Sequence, residues 1–200
     1  DNMHPLVATG AVSIVDLIVG GGSETAYATF HAPVTVAETI MVLSNGVLAL
    51  DAPSVVSNNL FVMGGGQMTH SGNTTNEQNK LDVTILGSVE VETGGIIDVT
   101  DKGYGCLCGP GSSLGTQDDW GGGSHGGRGY CGDYYVVVKG PCYGSITAPT
   151  NLGSGGSSLG ATAWGGGAVN LCVAGTTAVE TAGMIVADGQ DFGNAPGSGG

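Results

Sequence analysis

Residues 86–105, LGSVEVETGGIIDVTDKGYG, and residues 174–193, AGTTAVETAGMIVADGQDFG, align without a gap. Gly87, Val91, Glu92, Thr93, Gly95, Ile97 and Gly105 fall on Gly175, Val179, Glu180, Thr181, Gly183, Ile185 and Gly193, a constant offset of 88. Tyr104 falls on Phe192. In both copies Val and Ile alternate with Glu, Thr and Asp, the period-two pattern of a strand with one buried face. Glycine stands between the strands, where a corner can demand positive φ. Very short strands joined by one- or two-residue turns suit stacked coils better than a sandwich of long hairpins. The recurrence therefore predicts an all-β parallel β-helix, a solenoid, with inward aliphatic columns and outward Thr, Glu, Asp and Asn.

The rest of the chain reads the same way. AVSIVDLIV (11–19), TAYATF (25–30), VTVAETIMVL (34–43), GVLAL (46–50), NLFVM (59–63), LDVTIL (81–86), SVEVE (88–92), GIIDVT (95–100), YYVVV (134–138), AVNLCV (168–173) and GMIVA (183–187) have strand character. SNGVLALDAP (44–53) looks like a more distant copy of the repeated element, and THSGNTTNEQNK (69–80) is a polar excursion. That excursion carries one glycosylation sequon, Asn73-Thr74-Thr75. The expected organisation is one elongated domain over 1–200, with N-terminal coils (1–80), repeat copy 1 (81–105), a glycine-rich excursion (106–167) and repeat copy 2 (168–200).

Composition limits the function classes. Of 200 residues 40 are glycine, yet 40 % are apolar, and mean hydropathy is +0.20. A disordered chain is poor in apolar residues and rich in charge, so this one folds. Seventeen acidic residues against four basic ones give a net charge of −13. That balance opposes binding to nucleic acid and to anionic membrane surfaces, and no apolar run reaches spanning length. Beginning at Asp1 without an initiator Met, the chain reads as a mature or trimmed product. Cys106, Cys108, Cys131 and Cys142 lie in the glycine-rich region, where a core is hard to build, and are the disulfide candidates. Cys172 reads as a small buried apolar residue.

The stretch WGGGSHGGRGYCG (120–132) contains two formal motifs. GGSHG (122–126) fits the G-x-S-x-G elbow, which needs a strand before the serine and a helix after it; neither flank provides one. Residues 121–126 fit G-x-G-x-x-G, again without the helix that would hold a pyrophosphate. The expectation is an ordered structural loop, Ser124 within it, in which His125 and Arg128 donate to buried backbone carbonyls while Tyr104, Trp120, Tyr130 and Trp164 cover a side-chain-poor layer. No cofactor is expected; Asp118 and Asp119 are weak candidate ligands for Ca2+, as are Asp101, Asp188 and Asp191. No catalytic residues are assigned. Val12, Ile14, Leu17 and Val19 form the candidate strand for self-assembly.

The order V-E-V-E-T-G-G-I-I-D-V, GYG…GPG, GGGSHGGRGY, YGSITAPTNLGSGG (143–156) and WGGGAVNL (164–171) resembles the glycine-rich right-handed β-helix modules of large secreted surface proteins, pectin-lyase-like in fold and adhesin-like in setting. The resemblance spans about residues 81–200. It implies a single-stranded right-handed parallel β-helix and a place outside the cell or on its surface. The cysteines depart from it. Taken with the composition, it makes the expected function that of a non-enzymatic subunit of a surface fibre, sheath or adhesin. Copies would join end to end or by strand donation. The alternative is a carbohydrate-binding or polysaccharide-degrading module, for which Trp120, Tyr134 and Tyr135 are the aromatic candidates.

Overall fold

The computed structural model describes residues 5–113, 121–129, 139–145, 147–157, 163–191 and 197–200. They form two compact units. One comprises Asp1–Ser71, Asn79–Asp98 and Asn170–Val186; the other comprises Gly72–Gln78, Val99–Val169 and Ala187–Gly200.

The first unit is all-β and has the arrangement of a parallel β-helix. Its first coil holds β1 (Leu6–Ala8), β2 (Val12–Ile14) and β3 (Leu17–Val19), and its second β4 (Ala26–Phe30), β5 (Val34–Val36) and β6 (Ile40–Val42). The third coil holds β7 (Gly46–Leu50), β8 (Ser54–Val56) and β9 (Leu60–Val62). The fourth holds β10 (Gln67–Thr69), β11 (Leu81–Ile85) and β12 (Val89–Val91). Then come β13 (Ile96–Asp98), β14 (Val169–Val173), β15 (Thr177–Val179) and β16 (Met184–Val186). Like strands of successive coils pair in parallel into three sheets: β1-β4-β7-β10-β13-β16, β2-β5-β8-β11-β14 and β3-β6-β9-β12-β15.

Register explains the recurrence. Val91 pairs with Val179 and Ile97 with Ile185, so the 88-residue offset is one step between neighbouring coils. The basic step is shorter. Residues one coil apart bond across 20 positions at His31 and Asp51, across 29 at Asn59 Oδ1 and the Ser88 N–H, and across 88 at Asp82 and Asn170. A coil of about 20 residues thus accepts a short insertion after β10 and a long one after β13 without losing register. The sequence reading has no strand at 67–69; β10 is only three residues long and inserts one apolar side chain, Met68, into the core. It also joins 11–19 and 34–43 into single strands, whereas each segment turns a corner and serves two sheets.

The core is a set of columns. Leu6, Ala28, Leu48, Met68, Ile97 and Ile185 follow one another inside the first sheet. Val19, Val42, Val62, Val91 and Val179 do so inside the third. Corners are tied by side chains. Asp16 Oδ1 accepts the Thr39 N–H (3.1 Å), Asn59 Oδ1 accepts the Ser88 N–H (2.8 Å), and Ser88 Oγ accepts the Thr176 N–H (3.1 Å).

The corner that leads back to the first sheet needs a left-handed residue: Asn45 (φ 58°), Gly65 (78°), Gly94 (79°) and Ala182 (66°). The residue after it must be glycine, because a Cβ on Gly95 would stand 2.3 Å from the Val62 carbonyl oxygen. Ala182 is strained where its counterpart Gly94 is not, by roughly 1 kcal/mol. Ala182→Gly should therefore raise the unfolding free energy by about that amount, read as a higher denaturation midpoint; a lower midpoint would refute the assignment of this corner.

Candidate functional site

In the second unit, extended segments pack backbone against backbone. Segment 153–157 bonds to several neighbours at once. Gly153 N–H donates to Gly166 O, and Gly155 N–H to Cys108 O. Gly156 N–H donates to Ala163 O, while Ser157 and Gly121 exchange N–H···O bonds. Tyr104 N–H donates to Gly153 O, and Ser198 N–H to Ser154 O. A strand in a sheet has two neighbours; this segment bonds to four other stretches of chain, at Tyr104 and Cys108, Gly121, Ala163 and Gly166, and Ser198. The arrangement requires chains whose backbone groups point outward in turn, as in polyproline-II bundles, and residues with no Cβ at the contacts.

Side chains occupy the gaps. Ser124 is fully buried; its hydroxyl donates to Gly140 O (3.0 Å) and accepts the Gly129 N–H (3.0 Å). Both bonds go to backbone, so this hydroxyl clasps two loop segments and is not presented to a substrate. His125 stacks edge-on to Tyr143 with ring centroids 4.9 Å apart, and the Tyr143 N–H donates to His125 O. Tyr143 Oη–H donates to Leu152 O and accepts from Ser154 Oγ (2.9 Å), which in turn accepts the Gly111 N–H. Burial pushes the Tyr143 phenol up to about 12 against the Ser154 bond, which acts the other way. Tyr104 donates to Glu77 (3.2 Å), and burial first, then that carboxylate, pushes it up to about 12. Both phenols therefore stay protonated near neutrality and give their hydrogens to Glu77 and Leu152 O within the protein.

His125 Nε2 is buried without a hydrogen-bond partner and lies against Gly144, where a Cβ would stand 2.6 Å from it. Burial holds its pKa below the ordinary 6.5. The folded form thus favours neutral imidazole, while the unfolded chain takes up a proton near the ordinary value. Stability is full above that value and declines as pH falls through it toward the lower folded pKa. Amide protection of 121–125 and 139–143 should weaken between about pH 7 and pH 5, and His125→Asn should flatten that dependence. An unchanged slope in the variant would remove this assignment.

The other expected residues are placed as follows. Cys106, Cys108, Cys142 and Cys172 carry free thiols, so the expected staple among them is absent; Cys131 lies outside the described residues. Backbone hydrogen bonding gives the order the disulfides were expected to give, and Cys108 packs against the Tyr104–Leu152–Ala168 cluster. Cys172 is exposed, not buried, because it points outward from β14. Asp118, Asp119, Trp120, Tyr134 and Tyr135 lie outside the described residues. Among the described residues no group of three or more His, Cys, Asp or Glu could hold a metal ion. Arg128 is exposed, and the Trp164 N–H donates to Gln190 Oε1 (3.3 Å). Asn73, the sequon asparagine, is buried: its Nδ2 donates to Lys102 O (2.8 Å) and its Oδ1 accepts the Gln78 N–H (2.9 Å). A glycan on Nδ2 would displace the first of these bonds. Val12, Ile14, Leu17 and Val19 are divided between β2 and β3 and already pair with β5 and β6.

One arrangement escaped the sequence reading. His31 Nδ1 lies 2.5 Å from Oδ2 of the buried Asp51, whose Oδ1 accepts the Ser71 N–H (2.6 Å). The signal was present in His31-Ala32-Pro33 and Asp51-Ala52-Pro53, the same corner 20 residues apart. Asp51 bridges three successive coils, and its second oxygen is occupied by backbone. The chain matches no protein-family model, no curated protein and no solved structure. Function must be argued from its own geometry.

Proposed function

We propose that the chain is a non-enzymatic structural protein of the cell exterior, a right-handed β-helical subunit of a surface fibre, sheath or adhesin that associates with copies of itself. The observation that carries this reading is where the polar chemistry goes. The buried polar side chains Asp51, Ser54, Asn73 and Ser124 all bond to backbone, tying coils or glycine segments together. The general preference of parallel crossover connections for the right hand supports the right-handed reading. An acidic, hydroxyl- and glycine-rich chain with few charges agrees with an extracellular setting.

Negative-stain microscopy and light scattering at high protein concentration test the proposal. Extended assemblies support it. Monomers alone, at every concentration and ionic strength tried, refute it.

A further inference from the structure

The geometry points to a dithiol redox site at the Gly105–Cys108 turn: Cys106 and Cys108 exchange two electrons with an accessible disulfide, closing a bond between themselves and opening it again. This goes beyond the structural reading and does not depend on it.

Both thiols are free and partly buried, and one residue, Leu107, separates them. The Cys108 N–H donates to Gly105 O (2.9 Å), which makes residues 105–108 a tight turn, and Leu107 stands third in it at φ 58°. Turns ordinarily give a left-handed third position to glycine or asparagine. Leu107 is held there by its surroundings. Its N–H donates to Gly156 O (3.1 Å), Cys108 O accepts the Gly155 N–H (3.0 Å), and the Gly105 N–H donates to Thr74 O (2.9 Å).

The consequence is spacing. A left-handed residue brings the Cα atoms on either side of it to about 5.5 Å apart, against about 7 Å in an extended chain. Disulfides prefer a Cα separation of about 5.5–6 Å. The fold therefore maintains, against the preference of Leu107 itself, the approach that a Cys106–Cys108 bond needs. Strain of this kind at a non-glycine residue concentrates at working sites. The two sulfurs are also unequal. Cys108 packs against the Tyr104–Leu152–Ala168 cluster, and Cys106 lies outside it. Cys106 is thus the attacking thiol and Cys108 the resolving one.

The exchange has two steps. The Cys106 thiolate attacks one sulfur of a disulfide R–S–S–R; that bond breaks, and the first R–S− leaves and takes up the proton that Cys106 gave up. The Cys108 thiolate then attacks the Cys106 sulfur, and the second R–S− leaves and takes up the Cys108 proton. The protein loses two electrons and two protons, and R–S–S–R becomes two R–SH. Excess thiol reverses both steps.

The test equilibrates the intact protein with glutathione at stepped ratios of thiol to disulfide, then alkylates it and digests it with trypsin. Its four basic residues, Lys80, Lys102, Arg128 and Lys139, leave Cys106 and Cys108 together in peptide 103–128, Cys131 in 129–139, and Cys142 and Cys172 in 140–200. Peptide 103–128 should pass from a doubly alkylated form to an unalkylated one about 2 Da lighter than the dithiol, with no link to another peptide. The equilibrium constant for closing the bond should be at least about tenfold larger in the folded protein than in the same chain in guanidinium, where Leu107 leaves a region that few non-glycine residues occupy. Cys108→Ser should stop at a glutathione adduct on peptide 103–128, and Cys106→Ser should gain that adduct more slowly. Circular dichroism identical to that of the parent confirms that each variant folds. Thiols that stay alkylatable throughout, a bond from 103–128 to another peptide, or equal constants in folded and unfolded chains overturn the dithiol site and leave the structural reading standing. Faster adduct formation in Cys106→Ser overturns the order of attack.

Discussion

Gly155→Ala is expected to unfold the glycine-rich unit while the first unit keeps its sheets. A Cβ at residue 155 would stand 2.0 Å from the Gly105 carbonyl oxygen, 2.5 Å from its carbon, and 2.9 Å from Ala163 O. All three obstacles are backbone atoms, so no side chain can rotate aside. The segment that would have to move is itself held on the remaining sides by bonds to Gly166, Ser198, Cys108 and Gly121. Overpacking in an ordinary core costs about 1–3 kcal/mol because rotamers and helices shift; here the expected loss is at the top of that range or above. Hydrogen exchange read by residue checks it. Protection at 153–157, 103–105 and 164–166 should vanish, while protection in β5, β8 and β9 persists. Retained protection at Gly155 would mean that the segments are not packed backbone to backbone.

That contrast marks what the sequence discloses. The 88-residue recurrence was readable because both copies keep the same strand and corner residues, and its meaning as one coil step with an insertion followed once register was known. The 20-residue coil was harder to see. Its inward positions tolerate Val, Leu, Ile, Met, Ala or Ser54, so identity is lost while pattern survives. The corners show the same thing in polar form. Asp16, Asn59 and Ser88 do one job with three different side chains, each accepting an N–H of the next coil, and only coordinates reveal that they form a column. In the second unit, composition announced glycine packing but not which segment faces which. A residue with no side chain carries no pattern, and each hydrogen bond there is decided by its neighbours. Among the described residues Cys106, Cys108 and Cys142 carry free thiols, and the order around them is carried by backbone bonds that a count of cysteines does not show.

The first unit's own test is a cavity in its middle coil. Leu60 is fully buried between Ile40 and Val89 in the third sheet, and its sequence neighbour Phe61 faces outward between Met41 and Glu90. Leu60→Ala should lower the unfolding free energy by about 3 kcal/mol, since transfer and cavity terms add for a site walled by other coils that cannot collapse inward. Phe61→Ser, a larger chemical change one position away, should cost about 1 kcal/mol or less, reflecting only its partial burial on the sheet surface. Chemical denaturation of both variants provides the measurement. The ratio matters more than either value, because an antiparallel or slipped arrangement would exchange the inward and outward faces and reverse the order. A larger loss for Phe61→Ser than for Leu60→Ala would place the columns on the wrong residues.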